Sequence, residues 1–490
     1  MGAAAELAVL LGGMGLLMLL VVRGKSIFVV APLCALLTVT LSGSDPVAAM
    51  TGHYMTGFAD YIRRFYLVFA LGAAFGKLFD DSGAAAAIAQ LMGRLFGRQR
   101  ACLAVVLACA ILTYGGVSLF VVGFSAYPLA VRLFRAANLP RRFIPAAIAF
   151  GSITFTMTSA GSTEIQNLMP IQYFVDASTG KSLTDARAGW PVSLIVATVM
   201  FAAGQLYLEW AIRRDVARGL GWEDREQDHH RAASDADSGK SPIADQGSTH
   251  SLRSPSALAA LAPLVTTLLA LNVLPAVCHY LARLFPPTAI PGGLGDRIRI
   301  ILASVPEDPT LAIFLGVLVA LATLRSSRAS LWTGLGEGFL NGLFAIGSTA
   351  SVVGFGAAVQ KLPAFQQVVD WVTRIPGDPL LSAALAVAVI AAIAGSASGG
   401  QGIALPILKP IYIDELGVSP RALHRVVAIS SGTLDSLPAN GYLVMLIHNI
   451  CGETHGRAYG PISVVTVLLP LIGAALAIAL FRLFPAWAAA

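Results

Sequence analysis

RFIPAAIAFGSITFTMTSAGSTEIQNLMP, residues 142–170, begins as an apolar helix and does not finish as one. Midway it fills with Thr, Ser and Gly, then carries Glu164, Gln166 and Asn167 before Pro170. Lipid offers no hydrogen bonds, so a segment at membrane depth tolerates such groups only where they face protein, water or a ligand. A related stretch, RALHRVVAISSGTLDSLPANGYLVMLIHN, occupies residues 421–449. Together they predict two broken helices forming the floor of one transport site, carried on two inverted copies of one plan.

Composition supports a membrane setting. The 490 residues are 56% hydrophobic and 12% charged, and the mean hydropathy is +0.73. A soluble chain carries about twice that charged fraction. Apolar runs of about 20 residues recur throughout, as in a polytopic all-α membrane protein. The net charge of +6 comes from basic residues in short loops and calls for no nucleic acid. Cys34, Cys102, Cys109, Cys278 and Cys451 show neither CxxC nor metal spacing and read as core residues. No cofactor is implied. The first run, Ala4–Val22, has Arg23 and Lys25 after it and no basic region before it, which suits a first span better than a cleaved signal.

Arg23 and Lys25 place the first loop in the cytoplasm and the N-terminus outside. Spans are expected at Ala4–Val22, Ser26–Leu41 and Phe65–Phe79, with Gly52–Arg64 along the interface and Gly83–Phe96 amphipathic. Residues 101–133 have arginines at both ends and a TYGGVS break, so they predict a re-entrant hairpin. The broken helix follows at 142–174, and Trp190–Ile212 returns to the inside. Residues 213–256 are hydrophilic and aperiodic, a cytoplasmic linker. His229 and His230 within it have no partner spacing for a metal. The second half, 257–490, repeats the plan. It has spans at Ala257–Leu284, Leu311–Leu324 and Gly334–Val359, a hairpin at 380–413 broken at Gly395–Gly402, a broken helix at 421–449 and a span at Ile462–Leu483.

Numbering supports a duplication. Phe75-Gly76 and Phe355-Gly356, Gly115 and Gly395, Ser118 and Ser398, and Pro140-Arg141 and Pro420-Arg421 are all separated by 280 residues. Five spans in repeat 1, residues 1–212, would insert repeat 2 upside down, and the basic bias of matching loops swaps sides. The Arg98/Arg100 loop matches Ile375–Pro379, whose only charge is Asp378; Ser42–Ala48 matches the loop holding Arg325 and Arg328. Both termini are then expected outside.

Inverted repeats with interrupted helices place the substrate near the midplane, where exposed helix N-termini attract carboxylates. Hairpin tips supply Thr113, Tyr114, Gly115, Gly116 and Ser118, with Ser396, Ser398, Gly399, Gly400 and Gln401 opposite. Helix breaks supply Thr158, Ser159, Gly161, Ser162, Thr163, Gln166 and Asn167, then Ser431, Thr433, Ser436 and Asn440. Small residues also let membrane helices pack closely; it is their clustering in four matching places that points to a hydroxylated organic acid. Asp435 and Glu164 are the candidate proton carriers, since a carboxylate withdrawn from water can hold a proton. Glu164 reads equally as a helix-end residue at a cavity mouth. His448 suits a proton relay or an interfacial histidine.

TYGGVSLFVVGFSAYPLA, LPRRFIPAAIAFGSITFTMTSAGSTEIQN and SGTLDSLPANG resemble the gluconate permease (GntP-type) family of proton symporters, within the ion transporter superfamily. The resemblance spans both halves. It implies inner-membrane, proton-coupled uptake of gluconate or a related hydroxycarboxylate, elevator-type motion and a homodimer. Two departures fall at the proposed site: residues 159–164 replace a TALPGTP-like run, and Ala439 stands where the family tends to have His. Sodium coupling on the same scaffold is the alternative. An intramembrane hydrolase at Ser396–Gly399 lacks the first glycine of its motif, and the chain is expected not to be an enzyme.

Overall fold

A computed structural model describes residues 3–23, 25–117, 119–223, 255–284, 297–298, 300, 302, 309–324, 328–365, 367, 371, 377–394, 396–438 and 440–489. Ser118, Gly395, Ala439, Arg325 and most of the expected linker, with His229 and His230, lie outside the described residues. Helices follow one another along the chain: α1 Ala3–Val22, α2 Ile27–Leu41, α3 Met55–Asp81, α4 Ala84–Phe96, α5 Ala101–Tyr114, α6 Leu119–Ala136, α7 Ile144–Ala149, α8 Ile165–Tyr173 and α9 Trp190–Ala217. The second half continues with α10 Ala257–Asn272, α11 Leu274–Leu284, α12 Pro309–Thr323, α13 Arg328–Val359, α14 Pro379–Ala394 and α15 Ala397–Leu408. It ends with α16 Pro420–Ser431, α17 Gly441–Val444, α18 His455–Ser463 and α19 Leu469–Leu483. Among the described residues the only extended pairing is a single bridge, Val175 to Ser182.

The central seam is made by glycine. α3 and α13 pack along most of their length. A Cβ on Gly338 would lie 2.5 Å from the Cα of Ala74, and one on Gly342 2.7 Å from the Cα of Ala70. Gly57 of α3 makes room for the Ala357 side chain, whose Cβ would lie 2.5 Å from a Cβ on Gly57. As the number rises on α3 it falls on α13, so the two run antiparallel. With little solvent-driven attraction between helices in lipid, such backbone approach gains dispersion contacts that larger residues would prevent. The same device appears beside the seam, where Gly13 of α1 meets Thr38 of α2 and Thr267 of α10 meets Gly316 of α12. Both threonine hydroxyls bond a carbonyl four residues back, at 2.7 and 3.0 Å. Lys77 closes one end of the seam, 3.1 Å from both Asp81 and Glu337.

Three helical stretches, Trp190–Ala217, Trp332–Val359 and His455–Leu483, are long and apolar enough to cross a membrane. The α10–α11 pair would make a fourth if counted as one span. Leu33, Leu67, Leu206, Leu340 and Phe344 present apolar side chains on the outside, as lipid-facing positions do.

α5 packs against α6, and α14 against α15, as helical hairpins. The two broken helices run antiparallel. Arg141, beginning the first, meets Glu453, beyond the end of the second, at 3.8 Å. Arg421, beginning the second, pairs with Asp185, beyond the end of the first.

Four boundaries differ from expectation. The helix expected to begin at Phe65 starts at Met55, so residues 55–64 belong to it. Ala257–Leu284 is not one straight span but bends by 52° between α10 and α11. The break expected at Gly395–Gly402 is shorter, because α15 already starts at Ala397; Gly400 is helical and packs directly on Ala391. Residues 213–217 continue α9, and the chain after it is docked: Trp222 lies under the Arg141 guanidinium, 5.7 Å away, and Glu223 pairs with Arg457 at 2.5 Å.

Gly342→Val must displace the α3 backbone and is expected to cost about 1–3 kcal/mol or more, as overpacking does. Gly336, on the same helix, has open space around it; Gly336→Ala is expected to leave stability unchanged or slightly raised. Thermal unfolding of the purified protein in detergent compares the two.

Candidate functional site

Unwinding a helix at membrane depth frees backbone groups that must find partners. In the first break, residues 155–164, side chains from elsewhere provide them. Ser193 accepts from the Ala160 N–H at 2.7 Å, and Tyr114 donates to the Ala160 carbonyl at 2.7 Å. Asn272 donates to the Gly161 carbonyl at 3.0 Å, and the Gly161 N–H reaches the Ala186 carbonyl at 2.7 Å. Gly161 has φ +80°, and a Cβ there would meet Asn272 and Tyr114, so glycine is required on both counts.

Arg425 completes the set. It is fully buried, on α16, and all its hydrogen bonds go to uncharged oxygens: Thr158 O at 2.5 Å, Asn167 Oδ1 at 3.0 Å and Ala188 O at 3.0 and 2.9 Å. One guanidinium fork thus ties the second broken helix to the first break and to the loop before α9. Asn167, also fully buried, is the hub beside it. Its amide donates to the Ser162 and Ala186 carbonyls, and its Oδ1 accepts from Arg425 and from the His424 ring at 3.2 Å. Every hydrogen-bonding position of Asn167 is taken, so in this conformation it positions the break and is not free to meet a ligand. His424 is fixed from its other side by Thr184, at 2.8 Å.

The second break is organised around Asp435. Ser436 donates to its carboxylate at 3.0 Å, and the carboxylate also faces the backbone N–H of Ala397, the first residue of α15. Asp435 therefore sits on the partly positive N-terminus of that helix, where Ser396 is the N-cap. Asn440 caps α17 and donates to the Asp435 carbonyl at 3.1 Å. Tyr459 donates to the Ser436 carbonyl at 3.0 Å, and the His455 ring bonds the Pro438 carbonyl at 3.1 Å.

The two breaks touch. A Cβ on Gly432 would stand 3.5 Å from the Thr158 methyl. Gln401 of α15 donates to the Gln166 carbonyl at 3.1 Å and to Ser431 at 2.8 Å, joining the second hairpin to both broken helices. The amide oxygens of Gln166 and Gln401 are buried without a hydrogen-bond partner. The first hairpin meets the first break through Gly116 (φ +96°) against Thr163, whose hydroxyl donates to the Tyr114 carbonyl at 3.3 Å. Thr113 is fully buried, and its hydroxyl has no partner.

Other expected site residues serve local structure. Thr158, Ser159 and Thr433 bond carbonyls of their own turns, and Ser162 accepts from the Glu164 N–H at 3.2 Å. Ser396 and Ser398 lie 3.2 Å apart, Gly399 donates to Ser396, and Gly115 packs on Leu264. Glu164 occupies the N-cap position of α8. Its carboxylate is half-buried and makes no hydrogen bond to the described residues.

A cavity of about 460 Å³ opens beside the first break. Tyr114, Ala160, Gly161, Arg187, Trp190, Asn272 and Arg421 line it. Arg187 and Arg421 both reach the Asp185 carboxylate. Two guanidinium groups thus stand in the cavity wall, with the buried Arg425 on α16 beyond Asp185.

The GntP family permease profile matches residues 5–212. The uncharacterized transporter YxjC of Bacillus subtilis (strain 168) is 35% identical over 482 residues, which cover 94% of this chain and 96% of that protein. The chain belongs to the GntP permease family. It is a multi-pass membrane transporter and not an enzyme. The crystal structure of the Alcanivorax borkumensis YdaH transporter, described as having an unusual topology, shares the permease's fold. Its TM-score is 0.54 over 90% of each chain, at 15% identity.

The sequence reading missed Arg425 and His424, although both stand in the stretch it singled out. The available signal was a charged residue five positions into an apolar helix. Its burial depends on the folded loop before α9, whose Ala188 carbonyl receives two of its hydrogen bonds.

Arg425→Lys keeps the charge but loses the planar fork. It is expected to lower stability by about 1.5–3 kcal/mol for each charged hydrogen bond not remade. A thermal midpoint equal to that of the unaltered permease would overturn this role.

Proposed function

We propose that the permease is a secondary active transporter for proton-coupled uptake of a small hydroxycarboxylate, gluconate or a related sugar acid, across the inner membrane. The observation that carries this reading is the Asp435 carboxylate resting on the N-terminus of α15. That position is the one a substrate carboxylate would favour. While Asp435 is ionised it competes with an anionic substrate. A proton on Asp435 removes the competing charge and frees the helix end. Proton and anion then bind best together, which is the thermodynamic requirement for symport. Glu164, heading α8, offers a second carboxylate in the same relation to a helix N-terminus.

The arginine-lined cavity supports an anionic cargo, and its volume suits a small organic acid. The antiparallel broken helices and the 280-residue offset support two inverted repeats, 1–212 and 257–490, with re-entrant hairpins at 101–133 and 380–413. The basic loops support outward termini and a cytoplasmic linker at 213–256. Elevator-type motion is supported by the packing: α1, α2, α3, α10, α12 and α13 form one closely packed group, and the hairpins with the broken helices form another. The family resemblance supports a homodimer.

Sodium coupling is the second reading. The unpartnered oxygens of Gln166 and Gln401 favour it, since neutral oxygens suit a hard monovalent cation.

In proteoliposomes an imposed pH gradient is expected to drive accumulation of a C3–C6 hydroxy acid. Asp435→Asn, which removes the titrating group, is expected to abolish that accumulation. Proton dependence retained in this variant would sink the assignment to Asp435. Replacing sodium by choline is expected to change nothing; a loss of uptake would favour the sodium reading.

A further inference from the structure

We propose that Arg64 and Arg187 are a pair of releasable latches, which hold the first broken helix against the helix group containing the α3–α13 seam and let go once in each transport cycle. The proposal rests on the elevator-type reading above. Arg64 stands on α3, within that group. Its guanidinium donates to the Gln172 carbonyl at 2.7 Å and lies 5.0 Å from the centre of the Tyr173 ring. Gln172 and Tyr173 are the last residues of α8. Arg187 reaches the opposite way. It belongs to the loop between α8 and α9 and donates to the Asn272 carbonyl at 3.1 Å. Asn272 is the last residue of α10, where the chain bends by 52° into α11. Each group thus extends one arginine onto a helix C-terminus of the other. Carbonyls of a last turn have no partner within their helix and carry the negative end of its dipole, so a guanidinium suits them.

Water makes these contacts releasable. Arg64 is exposed, and the Arg187 side chain is 38% exposed. A guanidinium that lets go of a carbonyl there is hydrated instead, so charge contacts in such places hold weakly. Arg425 is the opposite case. It also bonds neutral carbonyls, but it is fully buried, and a buried charge cannot give up its partners without a large loss. Burial therefore separates two kinds of tie. The one that stays joins the two broken helices to each other. The ones that can be exchanged join the first of them to the seam group.

Neighbouring groups fit this division. Asp185 faces Arg187 at 4.0 Å from the same loop, so that contact moves with the arginine and is not lost on release. Asp60, one turn before Arg64, pairs with Arg63 at 3.1 Å on α3 itself. The Asn272 side chain adds its hydrogen bond to the Gly161 carbonyl at the point where Arg187 holds. Other contacts across the boundary have little direction. A Cβ on Gly402 of α15 would stand 3.3 Å from the Tyr61 ring of α3, and Ile403 fills the space over Gly356 of α13. Apolar side chains against glycine have no directed bond to break when one surface slides over the other, which leaves the arginines to define the resting position.

The test measures the distance between spin labels at Trp332→Cys on α13 and Ala177→Cys beyond α8, by double electron–electron resonance in liposomes. Both positions are exposed, and the five native cysteines are buried. Gly334 faces Asp81 and Gly57 faces Ala357, so Trp332 lies at the end of the seam away from Arg64, and the separation reports movement along it. Without substrate, Arg64→Gln and Arg187→Gln are each expected to lower the population at this structure's distance, relative to the other, by roughly two- to fivefold, the scale of one cation at a helix C-terminus. Two latches on one equilibrium act independently, so in the double variant the factors are expected to multiply. Two distances whose ratio no variant alters would overturn the latches alone. A single distance in the unaltered permease and in every variant, even under a pH gradient with gluconate, would overturn the elevator-type reading and the latches with it. Should an arginine variant fail to assemble, Tyr173→Leu, which removes the ring against Arg64 and keeps the Gln172 carbonyl, is judged by the same ratio.

Discussion

The Arg425 guanidinium is withdrawn completely from solvent, and the arrangement around both helix breaks depends on satisfying it there. An ionised group in such surroundings is tolerated only with a full set of hydrogen bonds. α16 cannot supply them, because its own carbonyls are used within the helix. They come instead from Thr158 in the opposite break, from Asn167 behind it and from Ala188 in the loop leading to α9. Each of these oxygens is available because the chain there is not helical or, for Asn167, belongs to a side chain. The unwound stretch and the buried arginine therefore stabilise each other.

This constraint also sets the electrostatics. No hydrogen bond of Arg425 goes to a carboxylate, so its charge is spread over neutral oxygens. The nearby Arg187 and Arg421 both reach Asp185. Asp435 and Glu164 stand elsewhere, at the N-termini of α15 and α8. On the proposed reading, a proton on these carboxylates decides whether the helix ends are free for a substrate anion.

Around this polar centre the scaffold is built on different physics. The α3–α13 seam and the smaller glycine–threonine contacts beside it hold helices together by close backbone approach. Such interfaces are rigid and specific without burying charge. The permease thus combines a glycine-packed seam with a hydrogen-bonded centre made of interrupted helices.

All-helical membrane character, the two interrupted segments and their 280-residue relation could be read from the amino-acid sequence by itself. These are written in apolar run length and in Ser, Thr, Gly and Pro at membrane depth, which depend on near neighbours and on the solvent. Asp435 and Glu164 stood out for the same reason. The roles of residues within the breaks could not be read. Gly400 and Gly115 serve packing, and Asn167 is saturated by partners up to 258 positions away. Arg425 and His424 acquire their meaning only from what the fold brings against them. Burial and hydrogen-bond partnership are properties of distant chain segments meeting in space, and a linear pattern of residue types does not specify which segments those are. Tertiary structure alone decided that the second broken helix reaches across to satisfy the first.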